Sequence, residues 1–85
     1  MKDQIVVGEI EGYPVLYNPS KRHVFCKNTT INVDVIFRIM NSNTAHHRIE
    51  SSKLSVFKFE NTVNFGCLTT TQENVKNILK KIKKL

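Results

Sequence analysis

Apolar residues at Val75, Ile78, Leu79, Ile82 and Leu85 recur with the period of one helix face, and Lys76, Lys80, Lys81, Lys83 and Lys84 occupy positions between them. The spacing predicts an amphipathic helix over residues 71–85. Thr70 or Thr71 can cap it, because a threonine hydroxyl accepts an orphan amide of the first turn; Thr70 with Glu73 has the capping-box spacing. A fainter stripe of the same kind runs through Val33, Ile36, Phe37 and Met40, after Thr29 or Thr30 as its cap. This earlier segment carries a competing signal. Ile31, Val33, Val35, Phe37 and Ile39 alternate as in a strand, and Val and Ile favour strands. Comparison with the C-terminal stripe favours helix.

The remaining apolar runs read as strands. Gln4 to Ile10 forms the first, with Ile5, Val6, Val7 and Ile10 around Gly8, and Gly12 permits a bend after it. Tyr13 to Tyr17 is the second. Pro14 has no amide to donate, so this strand starts there or lies at an edge. Asn18-Pro19-Ser20-Lys21 has the residues of a type I turn, and Val24 to Lys27 returns as a third strand. Asn41 to Lys53 is polar, with Ser51-Ser52 near its end, and reads as a linker or a short irregular helix. Leu54 to Phe59 and Val63 to Leu68 flank Glu60-Asn61-Thr62 as a hairpin.

The two halves then line up. Val15 and Tyr17 match Phe57 and Phe59, and Val24 and Cys26 match Phe65 and Cys67. Thr29, Val33, Ile36, Phe37 and Met40 match Thr71, Val75, Ile78, Leu79 and Ile82. The pattern predicts an α+β fold: an antiparallel sheet with two helices on one face, arranged as a ββα-ββα duplication, with the other sheet face open. Two unrelated amphipathic units would produce the same pattern of matches.

A chain of 85 residues is one small domain with a thin core, burying about 60–65% of its unfolded surface. Its 40% apolar content is too high for a disordered chain, and no run approaches the roughly 20 apolar residues of a membrane span. Met1-Lys2-Asp3-Gln4-Ile5 lacks the apolar run of a secretory signal, so a cytoplasmic or nucleoid setting is expected. Cys26 and Cys67 lie far apart in apolar surroundings; two buried free thiols are expected, with a disulfide as the alternative. His46 and His47 are adjacent, so their side chains diverge and make poor joint metal ligands. There is no Gly-rich phosphate loop, paired-carboxylate motif or serine elbow. A catalytic Cys–His pair has no sequence support. No cofactor, metal or enzymatic activity is expected.

Charge changes this picture most. The net charge is +6, and it is uneven: residues 71–85 hold five lysines and one acid, Glu73. The structural reading of these lysines is a solvated face, favoured near a helix C-terminus by the macrodipole. The functional reading is contact with phosphates, giving affinity that falls with salt. The helix has no Arg, so bidentate reading of guanine from it is not expected. Its apolar face lacks Trp and Phe, which weighs against a membrane surface. On this reading Lys76, Lys80, Lys83 and Lys84 contact nucleic acid, and Lys21, Arg22 and Lys27 assist from the first hairpin. Tyr13, Tyr17 or Phe59 stack on a base where they stand on the open sheet face. The competing reading is a protein-interaction module, inhibitor or structural subunit, with room for a homo-oligomer. The two diverge on whether hairpin and helix basics merge into one patch.

One segment adds a family likeness. Ile10-Glu11-Gly12-Tyr13-Pro14-Val15-Leu16-Tyr17-Asn18-Pro19-Ser20 resembles the short Gly-Tyr…Leu-Tyr…Ser module that accompanies HNH homing endonucleases of phages and mobile introns. Gly12, Tyr13, Leu16, Tyr17 and Ser20 carry the match within residues 10–27. The family's Trp, its turn Gly followed by Arg-Val and its trailing Ser are absent or shifted, and His23-Val24 stands in that place. The resemblance implies a DNA-associated role, a phage setting and no catalysis within this chain.

Overall fold

Alternating burial sets the strands, and two capped stripes set the helices. The computed structural model describes residues 4–50 and 55–85. The Met1-Lys2-Asp3 opening, the Ser51-Ser52 pair and Leu54 lie outside them. The first half runs β1 (Ile5–Ile10), β2 (Tyr13–Asn18), β3 (His23–Cys26), β4 (Thr29–Asn32) and α1 (Val33–Met40). The second runs β5 (His46–Glu50), β6 (Ser55–Phe59), β7 (Thr62–Phe65), β8 (Leu68–Thr71) and α2 (Gln72–Lys83). The class is α+β, and every strand pairing is antiparallel. The strands divide between two four-stranded meanders, β1-β2-β3-β4 and β5-β6-β7-β8, where one sheet was expected.

Short strands explain most departures from expectation. Thr29 and Thr30 do not cap a helix; they begin β4, which pairs with β3 from Cys26↔Thr29 to His23↔Asn32. The helical half of the 31–40 ambiguity applies only after Asn32, whose side chain accepts from the Asp34 amide at 2.8 Å. The run Val63–Leu68 is likewise two strands, folded back through Gly66 and Cys67. Thr71, not Thr70, caps α2 and accepts from the Asn74 amide at 3.0 Å. The polar linker contains a strand, because His46–Glu50 pairs with β6. Pro14 lies in β2, an inner strand, but beyond the β3 pairing that starts at Val15↔Cys26.

The halves repeat in geometry with a register different from the expected one. Each helix begins by donating its first amide to a carbonyl in the central turn of its own sheet: Val33 to Arg22 at 2.8 Å, and Gln72 to Asn61 at 2.7 Å. Lys27 and Gly66, both at positive φ, occupy matching turns. The β2–β3 turn is longer than the β6–β7 turn, so Cys26 corresponds to Phe65 rather than to Cys67, and Ile36 corresponds to Val75.

Packing crosses between the halves. Helix α1 lies against β5 and β6 of the second sheet, while α2 lies against β1 of the first and also touches β7 and β8. Val7, Ile10, Val15 and Val24 from the first sheet share one core with Val56, Val63, Phe65 and Leu68 from the second. Val33, Ile36 and Ile39 of α1, and Val75, Ile78, Leu79 and Ile82 of α2, fill it. Burial of each such side chain is worth about 1.5–3 kcal/mol. Gly8 is where α2 meets β1. A Cβ at Gly8 would stand 2.6 Å from Ile78 Cγ1. Asn74 Nδ2 donates to the Glu9 carbonyl at 2.9 Å, and the Thr69 amide donates to the Glu11 carboxylate at 2.8 Å.

Gly8→Ala forces Ile78 out of its seat, an overpacking defect worth about 1–3 kcal/mol. Urea unfolding should show the midpoint falling in one cooperative transition, because Gly8 joins the two halves. An unchanged midpoint would mean that α2 is not held at β1.

Candidate nucleic-acid interface

The two helices touch, and their solvent sides form a groove centred on Phe37. Phe37 is half-buried because the apolar stripe of α1 is wide, with Val35, Phe37 and Met40 partly covered beside the buried residues. One depression beside it is lined by Lys76, Lys80 and Lys83 with Met40 and Leu79. These lysines follow an i, i+4, i+7 row of α2, which places them along one side of the helix. A second depression brings Arg22 and Lys83 together over Tyr17, Phe37 and Ile82. A third is lined by Asp34, Phe37, Arg38 and His47. The Lys83 ammonium lies 5.3 Å from the Phe37 ring centre, a cation–π distance.

The hairpin and helix basics therefore meet at Arg22 and Lys83. Arg22 donates from Nη2 to Asp34 at 2.7 Å, and this hydrogen bond and the carboxylate's charge raise its already high pKa. The pair fixes the turn against α1. Lys21 is exposed at the same hairpin tip. Lys84 is exposed at the α2 C-cap and does not line the groove.

Lys27 and Tyr13 lie elsewhere, and Tyr17 lies beneath the groove. Lys27 sits in the β3–β4 turn with its ammonium 4.8 Å from the Tyr13 ring. That turn lies at the opposite end of β2 from Arg22, roughly 17 Å along the strand. Tyr17 is only 5% exposed, so it forms core and groove floor and does not stand on an open sheet face. Its position follows from alternation: Val15 and Tyr17 face the helices, and Leu16 faces away. Phe59 is on an open face, 46% exposed.

Sequence reasoning missed Arg38 and His47. Asp34 and Arg38, four residues apart, mark the polar side of α1 and were a usable signal for Arg38. His47 had none, because its location depends on β5, a strand hidden in a polar segment. Lys58 also departs from pattern. It is 4% exposed, and its ammonium donates to the Ser42 carbonyl at 2.9 Å. It is therefore a structural cation that holds the α1–β5 connection.

The thiols differ from the expected buried pair. Cys26 is buried and Cys67 is exposed, and the two form no disulfide. Burial pushes the Cys26 thiol pKa up, with Cys67 and Glu11 adding to the shift. The residues of the suggested family likeness divide between the β1–β2 turn (Gly12), β2 (Tyr13, Leu16, Tyr17) and the β2–β3 turn (Ser20). No helix of the described residues is long and apolar enough to cross a membrane. No family model, curated protein or solved structure matches this chain.

Thiol alkylation of the native protein should modify Cys67 and spare Cys26, with the second equivalent appearing on unfolding. Because burial disfavours the Cys26 thiolate, ionisation is easier in the unfolded chain. Its stability contribution is complete below the ordinary thiol pKa and declines as pH rises above it. Equal labelling of both cysteines in the native state would contradict this placement.

Proposed function

We propose that this chain is a small non-enzymatic nucleic-acid-binding protein whose principal contacts are to phosphates. The observation that supports it most is the merging of Arg22 with Lys76, Lys80 and Lys83 around Phe37. Residues from a hairpin turn and a distant helix converge there; Asp34 and Arg22 balance each other as an ion pair, so the excess positive charge is that of the three lysines. Such a surface attracts a polyanion by releasing its counterions, with little dependence on base sequence. Lys21 and Arg38 extend it on either side. Lys27 and Tyr13 do not belong to it, and Lys84 is peripheral.

A second reading, a protein-interaction module, has one observation in its favour. Val6, Leu16 and Phe25 form a cross-strand row on the outer face of the first sheet, with Val6 and Phe25 exposed. Light scattering separates the readings: a stable homo-oligomer indifferent to nucleic acid favours this one.

The test of the first reading is binding of a labelled oligonucleotide across a salt series. Replacing Lys76, Lys80 and Lys83 together with Ala should weaken binding and lower the log–log salt slope by roughly two to three. Lys27→Ala should change neither. Absence of binding at low salt, or equal effects of the two variants, would refute the proposal.

A further inference from the structure

We propose that the outer face of the second sheet stacks unpaired bases, making the chain selective for single-stranded nucleic acid. This inference rests on the phosphate-binding reading above and adds a ligand class to it. Strand register defines the face. One cross-strand row is His46, Phe59, Thr62 and Thr71; the next is Arg48, Phe57, Asn64 and Thr69. Their neighbours Val56, Lys58, Val63 and Phe65 are buried on the helix side, so these two rows point away from the core.

The chemistry on this face is specific. The Phe57 and Phe59 rings are nearly parallel, 6° apart in plane, with centres 6.3 Å apart. The His46 ring meets both edge-on, at 4.9 and 5.7 Å. Arg48 lies over Phe57 at 5.3 Å. Flat rings backed by a guanidinium offer stacking for bases and charge for the phosphates between them. Asn64 carries both a donor and an acceptor in the same row as Phe57. Duplex bases are already stacked and paired, so exposed rings on a sheet gain nothing from them.

Comparison with the first sheet sharpens the assignment. Its equivalent row is Val6, Leu16, Phe25 and Thr30, with no cation. The first sheet pairs a ring with a cation only at its far end, Lys27 over Tyr13, whereas the second sheet carries Arg48 beside two rings within its outer rows. It is also continuous with the helix groove. β5 is an edge strand, and between outward-facing His46 and Arg48 stands His47, which lines the depression with Phe37 and Arg38. A strand held in the groove reaches the rings by crossing β5. Glu60, in the turn after Phe59, is the acidic residue at that end of the face.

The experiment compares three ligands of equal length at one salt concentration: a single-stranded oligonucleotide, its duplex, and an abasic strand that keeps the phosphates without bases. The intact chain should bind the base-bearing strand roughly tenfold or more tightly than the abasic strand. Phe57→Leu with Phe59→Leu should remove that advantage and leave abasic and duplex binding unchanged. This pair keeps apolar bulk and removes the rings; Phe59→Ala alone provides a milder check on folding and should lose part of the advantage. Equal binding of base-bearing and abasic strands by the intact chain would overturn stacking while leaving the phosphate reading intact. So would a folded double-leucine variant that binds like the parent. Binding of the base-bearing strand without any binding of duplex or abasic strand would preserve stacking and overturn the phosphate reading.

Discussion

The exchange of helices between the two sheets is the constraint on which the structure depends. A four-stranded meander with a short helix buries little by itself. Here α1 packs on β5 and β6 of the second sheet while still meeting β4, and α2 packs on β1 of the first while still meeting β7 and β8. The fit at β1 is close enough that Gly8 cannot carry a side chain without moving Ile78. A second close approach occurs at Gly66, which faces Thr29 of the first sheet and holds a positive φ of 67°. Polar contacts follow the same route: Asn74 to the Glu9 carbonyl, and the Thr69 amide to Glu11. The consequence is a single core shared by both halves, which suits a chain too short to build two.

The exchange also decides which charges become neighbours. The two helices touch along their solvent sides, and Phe37 of α1 comes under Lys83 of α2. The β2–β3 turn is tied to α1 by the Val33–Arg22 backbone bond and the Arg22–Asp34 pair, so its basic tip is drawn to the same groove. The β3–β4 turn points the other way, which removes Lys27. The outer sheet faces remain uncovered. They differ in composition: Val6, Leu16 and Phe25 on the first, and Phe57 and Phe59 with Arg48 on the second.

Much of the helical part of the fold was legible. The stripes at Val75, Ile78, Leu79 and Ile82, and at Val33 and Ile36, are buried where periodicity placed them. The α+β class followed from them and from the hairpins. The short strands were harder. Thr29–Asn32 and Leu68–Thr71 are rich in threonine and abut helix caps, and threonine serves either role. Counting them as caps and strand ends merged two sheets into one and shifted the repeat register. His46–Glu50 is strand because β6 supplies a pairing edge, a tertiary cause that its polar sequence does not announce. In the site, lysine spacing identified Lys76, Lys80 and Lys83. Which turn joined them, and that Tyr17 would face inward, depended on strand pairing.

The two helices, packed against both sheets, build one basic groove around Phe37, and this groove is the proposed seat of nucleic acid. The most direct measurement is an NMR titration of the isotope-labelled chain with a short duplex oligonucleotide, which offers phosphates without unpaired bases, at low salt. The account predicts shifts concentrated on Arg22, Phe37, Lys76, Lys80 and Lys83, reversed by added salt. Shifts confined to the Tyr13–Lys27 end or to the Val6–Phe25 face, or no shifts at all, would contradict it.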